Sequence, residues 1–284
     1  MGVRAGTLPV VSRLTLEREG FYYPADSMKA RLCLRGRHML YDYCNSHSVA
    51  HKKTGKLVVT QAHQRAYIES LHSKAQSLRW PPHSASHDPT TPVAPTFLIS
   101  GDEARDLEPD LSPDIVAALW SPETGIVDSH GLMESLQRDI EESENGNVVL
   151  STKIVRVDPY QRSRQSLGSP DLDAAEDGWV VQTVTGDAKE SDTLLARTLI
   201  NASGLSGNLV LNALLPTEER IPMYFARGAY ASYRGQGVAH VQRLIYPVPD
   251  ETSKEGHSFQ SLGTHLTVDM CVVWSRCSPA RRSL

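Results

Sequence analysis

Amphipathic helical stretches alternate with short β-branched runs from Gly20 to Leu214, which excludes an all-helical or an all-strand fold. Ser27 can cap a helix reaching about Cys44. In it Met28, Leu32, Met39, Leu40 and Tyr43 make an apolar face, and Lys29, Arg31, Arg35 and Arg37 a polar one. Gly55 leads into a strand, Lys56-Leu57-Val58-Val59-Thr60, and a second helix is expected over about 64–78. Residues 80–95 are rich in Pro, His, Ser and Thr and read as a surface insertion. Ser100 stands three residues before Glu103, a capping box opening a helix that Pro109 closes. A run over 117–120, a turn over 121–125 and Ile126-Val127-Asp128 precede a helix over 129–143, with Leu132, Met133, Leu136 and Ile140 at helical spacing. Strands are expected at 148–150, 153–157, 179–184 and 193–201, with a loop over 159–177 and a helix over 208–214. The helix–turn–strand rhythm after residue 129 is that of the second half of a βαβ unit, and alternating segments over 221–269 suggest an antiparallel sheet. By residues alone the chain is α/β or α+β.

The 284 residues suffice for one large domain or two interleaved ones with a substantial core. A net charge of −4 offers no basic surface for nucleic acid, so an anionic substrate must be met by local Arg or Lys. No run reaches the roughly 18 apolar residues of a membrane span. Cys33, Cys44, Cys271 and Cys277 form no C-x-x-C pair and read as free thiols in a reducing compartment; no metal site is expected. Arg4 and Arg13 with no acid in the first sixteen residues fit the start of a mitochondrial presequence, a pattern that Glu17 and Glu19 end. Nowhere does a strand run into G-x-G-x-x-G opening a helix, so the chain carries no local dinucleotide fingerprint.

Four blocks sharpen this reading: Gly20-Phe-Tyr-Tyr-Pro with Ser27-Met-Lys-Ala-Arg-Leu-Cys-Leu-Arg-Gly-Arg37; Ser121-Pro-Glu-Thr-Gly-Ile-Val-Asp-Ser-His130; Leu199-Ile-Asn-Ala-Ser-Gly-Leu205; and Arg243-Leu-Ile-Tyr-Pro-Val-Pro-Asp250 with Leu262-Gly-Thr-His-Leu-Thr-Val-Asp269. In order and spacing they resemble the L-2-hydroxyglutarate dehydrogenase family, within the D-amino-acid-oxidase-like superfamily of FAD-dependent oxidoreductases. The resemblance runs from about Gly20 to Asp269. It implies an α/β chain with an incomplete FAD-binding Rossmann-like domain (about 20–55, 120–158 and 178–215). An α+β substrate domain containing an antiparallel sheet (about 56–119 and 216–270) is interleaved with it, and residues 1–19 and 271–284 lie outside the pattern. It also implies FAD as cofactor, mitochondrial placement, a small 2-hydroxy dicarboxylic acid as substrate and an electron acceptor that the sequence does not specify. The family's Gly-rich pyrophosphate turn has no counterpart here, Arg18 stands where the family has His, and the last residues depart from the family's continuation. The expectation is therefore a chain truncated at both ends.

The implied reaction is FAD-dependent oxidation of L-2-hydroxyglutarate to 2-oxoglutarate, which needs a base for the hydroxyl and cations for the carboxylates. His265 is the candidate base or hydroxyl-binding group, against the alternative of a structural histidine. Arg227 and Arg243 are candidates for carboxylate binding, with structural ion pairs as the alternative. Tyr230 and Tyr246 either line the substrate pocket or pack in the core. Asn201, Ala202, Ser203 and Gly204 form a small-residue turn before a helix, where FAD could approach the backbone or where the chain simply turns. Ser129 either caps its helix or contacts the flavin or the substrate, and Lys29 is either near the flavin or on a solvated face. Other functions compete: a related flavoenzyme acting on an amino acid or glycerol 3-phosphate, a non-catalytic remnant, or a binding scaffold.

Overall fold

The computed structural model describes residues 13–15, 20–80, 92–160, 177–224, 240–249 and 265–268. In chain order the elements are β1 (Arg13–Thr15), α1 (Met28–Ser46), β2 (His51–Lys52), β3 (Lys56–Thr60), α2 (Arg65–Ser77), β4 (Phe97–Ser100), α3 (Gly101–Leu107), β5 (Ala117–Ser121) and β6 (Ile126–Asp128). They continue with α4 (Ser129–Glu142), β7 (Thr152–Tyr160), β8 (Gly178–Thr185), β9 (Asp192–Ala196), α5 (Gly207–Leu214) and β10 (Leu244–Pro247). The chain divides into two compact units, one of residues 1–142 and 232–284, the other of 143–231.

The first unit is built on the sheet β10-β3-β5-β4 and a smaller sheet β1-β6-β2. Strand alternation gives the larger sheet two apolar faces. On one, Val58, Ala117 and Leu119 pack with Ile68, Leu71 and Ala75 of α2, Leu34 of α1, and Phe21. On the other, Leu57, Val59 and Ala118 pack with Ala104 of α3. Both faces being covered, β3 is buried along its whole length. The capping box forms as its spacing predicts: Glu103 N donates to Ser100 Oγ at 3.2 Å, and Ser100 N donates to Glu103 Oε2 at 2.7 Å. Ser27 likewise caps α1, accepting from Ala30 N at 3.1 Å.

Five expectations need correction, the last of them in β9. The face that α1 buries is Ala30, Leu34, Arg37, Tyr41 and Cys44, leaving Met28, Leu32 and Met39 exposed. Leu34 meets the core, and Arg37, one turn on, is carried in with it. The end of the supposed surface insertion is core, since Val93 and Ala94 join the α2 cluster. Residues 148–150 form no strand. The chain instead turns at Ser151, with φ 55, before β7 begins. Strand β10 pairs in parallel with β3, Leu244 opposite Lys56 and Tyr246 opposite Val58; antiparallel pairing appears there as a bridge between Ile245 and Leu266.

The second unit holds the antiparallel sheet β7-β8-β9. The strand expected over 193–201 stops at Ala196, which pairs with Trp179. Beyond it β8 has only Gly178 left, so Leu199 and Ile200 join no ladder among the described residues, and Ile200 is 83% exposed. A 3₁₀ turn over Gly204–Ser206 then leads into α5.

Candidate functional site

Lys56, Val58 and Thr60 share one face of β3, and the parallel register sets Leu244 and Tyr246 beside the first two. Lys56 is 1% exposed. Its ammonium lies 5.1 Å from the Phe21 ring centroid, 4.8 Å from that of Tyr22 and 5.6 Å from that of Tyr246. These distances are within cation–π range, each such contact being worth roughly 0.5–2 kcal/mol. Moving an ammonium out of water costs several kcal/mol, and the ring faces offset part of that cost.

The two rings from the start of the described core are held there by a tight turn. Tyr23 N donates to Gly20 O at 3.1 Å, and Gly20 has φ +80. A Cβ at Gly20 would come within 2.8 Å of Leu34 Cγ, so only glycine lets the turn lie against α1. The Ile245–Leu266 bridge, with N···O distances of 3.1 and 2.9 Å, brings in His265. Its imidazole stacks on Tyr246 with centroids 4.3 Å apart and an interplanar angle of 16°. Tyr246 is 2% exposed, and its hydroxyl has no hydrogen-bond partner among the described residues. A buried orphan donor of this kind costs about 1–3 kcal/mol. A cation, an imidazole and a buried O–H thus gather on one sheet face.

Arg243 is not part of that group. It alternates with Leu244 and sits on the side of Trp120, its guanidinium carbon 5.5 Å from that ring. Its Nη1 donates to Leu107 O at 2.6 Å and lies 3.4 Å from Oε1 of Glu108, a carboxylate that also accepts from Gln242 N. It therefore ties β10 to the end of α3. Arg227 and Tyr230 lie outside the described residues. Lys29 is exposed, its ammonium 4.1 Å over the Tyr23 ring. Ser129 is buried at the start of α4, where the neighbouring Asp128 side chain accepts from His130 N at 3.1 Å. Neither Cys33 nor Cys44 is in a disulfide among the described residues, and burial pushes the Cys44 thiol up.

The Asn201–Gly204 turn belongs to the second unit and is exposed throughout. Asn201 Nδ2 donates to Gly207 O at 2.7 Å, and Ser203 donates to Asn201 Oδ1, so these side chains hold the turn itself. Gly204 has φ +58 with open space where a Cβ would stand, and Ser206 makes no side-chain cap to α5. The backbone is open to a flat or anionic group and the first-turn N–H groups of α5 are available to it, so the turn fits part of FAD.

His265 and Tyr246 are candidates from the sequence, and the structure brings Lys56, which the sequence did not single out, to the same sheet face. Its signal was present: a lysine in phase with Val58 in a run of otherwise apolar and β-branched residues. That the run is buried on both faces could only be seen once four strands, three helices and Phe21 had met.

A family model described as FAD dependent oxidoreductase matches residues 12–269. The mitochondrial L-2-hydroxyglutarate dehydrogenase of Arabidopsis thaliana is 28% identical over 280 residues, covering 93% of this chain and 53% of that protein. The mitochondrial L-2-hydroxyglutarate dehydrogenase of Homo sapiens is 25% identical over 259 residues, with coverages of 88% and 48%. The L-2-hydroxyglutarate dehydrogenase of Indibacter alkaliphilus is 27% identical over 249 residues, with coverages of 87% and 52%. The chain spans about half the length of the curated relatives it matches. Among solved structures, L-proline dehydrogenase from P. horikoshii superposes with a TM-score of 0.51 at 16% identity, over 79% of this chain and 51% of that one, a likeness of fold.

Proposed function

Because this chain belongs to the FAD dependent oxidoreductase family, we propose that it is the part of a flavoenzyme that binds and oxidises a small 2-hydroxy acid, L-2-hydroxyglutarate, yielding 2-oxoglutarate. The names of the relatives support that substrate, and those named as mitochondrial proteins support that location. The observation that carries the reading is the His265–Tyr246 stack on the sheet face where Lys56 is buried.

Bound FAD would supply the hydride acceptor. The chain's own residues do the rest. A ring nitrogen of His265 accepts the proton of the substrate hydroxyl, and the Tyr246 ring fixes the plane of that imidazole. The Tyr246 hydroxyl donates a hydrogen bond to a substrate oxygen. The apolar walls of Phe21 and Tyr22 keep water away from the charged groups.

Protein expressed from its own transcript and loaded with FAD should lose its flavin colour when L-2-hydroxyglutarate is added without oxygen, and keep it with L-glutamate or glycerol 3-phosphate. Bleaching by the amino acid alone would refute the hydroxy-acid reading. H265N should slow flavin reduction roughly 10²–10⁴-fold.

A second reading applies to the 284-residue chain by itself: that it holds no flavin. The full exposure of the Asn201 turn favours it. A yellow preparation of this chain with one flavin per molecule would disprove it.

A further inference from the structure

We propose that Glu108 is a positioning residue for this site: its buried carboxylate fixes the register in which β10 enters the sheet, and so sets the Tyr246 ring against His265. What that pair does for substrate rests on the hydroxy-acid reading; how it is held does not.

Backbone ladders do not choose a register, since any N–H can meet any C=O. The parallel pairing of Leu244–Pro247 with β3 is therefore fixed by side chains and by the point where the strand enters. Glu108 stands at that point. Its own backbone is held at the end of α3, its N–H donating to Ala104 O at 2.9 Å and its carbonyl accepting from Leu111 N at 3.2 Å. Its side chain is 3% exposed, and its Oε1 accepts from Gln242 N at 3.0 Å and lies 3.4 Å from Arg243 Nη1. One buried atom thus grips the two residues that precede β10, and Arg243 Nη1 adds a bond to Leu107 O at 2.6 Å. The ladder starts at the next residue, Leu244 N donating to Gly55 O at 3.1 Å. A slip of one residue would turn Tyr246 to the other face; a slip of two would keep the face and carry the ring about 7 Å along β3. Val268 shares a buried cluster with Ile126 of β6, so the segment carrying His265 has an anchor besides β10, and a shifted β10 would leave it behind. The ion pair gives little stability in return. Burying a carboxylate costs several kcal/mol, and a 3.4 Å contact recovers less of it than a bond of ordinary length. An apolar pair would hold the fold as well, but it would accept from no particular N–H.

Proton NMR of the FAD-loaded protein reads the positioning without turnover. The His265 ring protons, assigned by their loss in H265N, should resonate upfield of a free imidazole because the Tyr246 ring lies over them. E108L/R243M, which removes both charges and the acceptor, should regain most of the stability that R243M loses. Its His265 protons should nevertheless move to the free position, and its limiting rate of flavin reduction by L-2-hydroxyglutarate should fall about 10-fold. E108Q/R243M, equally uncharged but retaining a carbonyl for Gln242 N, should keep the upfield shift and most of the rate. His265 protons that stay in place in E108L/R243M overturn the proposal, and so does their loss of shift in both double variants. Where E108L/R243M fails to fold, E108D decides: it keeps the charges and draws the acceptor back by one methylene, so an unmoved His265 signal there overturns the proposal. Protons that move in E108L/R243M alone, in a protein whose parent L-2-hydroxyglutarate does not reduce, support the positioning and overturn the oxidation reading instead.

Discussion

Gly55 shows how little freedom the residue before the buried lysine has. Its φ is +72, and a Cβ there would lie 1.8 Å from Trp120 Cη2. Its N–H also donates to Thr124 O, and its carbonyl accepts from Leu244 N. G55A must therefore both strain the backbone and push Trp120 aside. A loss of about 2–4 kcal/mol in denaturant-measured stability is expected. Arg243 poses a different question, whether it serves folding or substrate. Glu108 is 3% exposed, so R243M would strand a buried carboxylate and should cost about 3–5 kcal/mol. Pairing R243M with E108L should recover much of that loss. A normal melting temperature combined with a raised KM would instead make Arg243 a substrate ligand.

At the scale of elements, α3 and α1 behave oppositely. In α3 local sequence decides: S100A should cost about 1 kcal/mol, read from the melting temperature. Hydrogen bonds from the Ser100 backbone N–H and hydroxyl hold the Glu103 carboxyl below its ordinary range. Since its folded value is depressed, its stabilising contribution is complete above the unfolded carboxylate range and is lost as pH falls through the folded value. Amide protection over Gly101–Leu107 should accordingly fall on acidification below the ordinary carboxylate range, and E103Q should flatten that dependence. In α1 tertiary packing decides, drawing Arg37 into the interior. Nη2 bonds to Val93 O at 2.6 Å and to His38 Nε2 at 3.1 Å, leaving Nε and Nη1 without partners among the described residues. R37M removes a buried charge and two orphan donors and gives up the Nη2 bonds to Val93 and His38. It should leave stability unchanged or raise it by about 1–2 kcal/mol in equilibrium unfolding.

For the whole molecule, the second unit carries large apolar side chains in contact with solvent: Val149, Leu150, Ile200, Leu205, Leu209 and Tyr224. Exposed apolar surface on that scale promotes association. The 284-residue chain should bind a hydrophobic dye and sediment faster as its concentration rises. Exchanging Ile200, Leu205 and Leu209 for serine should reduce both effects.

The sequence by itself determined what neighbouring residues decide: the Ser27 and Ser100 caps, the β3 run, the end of α3 before Pro109, and the family blocks that carry His265 and Tyr246. Tertiary structure decided what depends on partners distant in the chain. The side of α1 that faces inward was set by where Leu34 met the sheet, and 197–200 stayed out of a strand because β8 had run out of residues to pair with it. Lys56 became a buried cation only when Phe21, Tyr22 and Tyr246 closed around it. Capping and strand propensity act over three or four residues, whereas burial is a sum over the whole unit, and that sum separated Lys56 from Arg243.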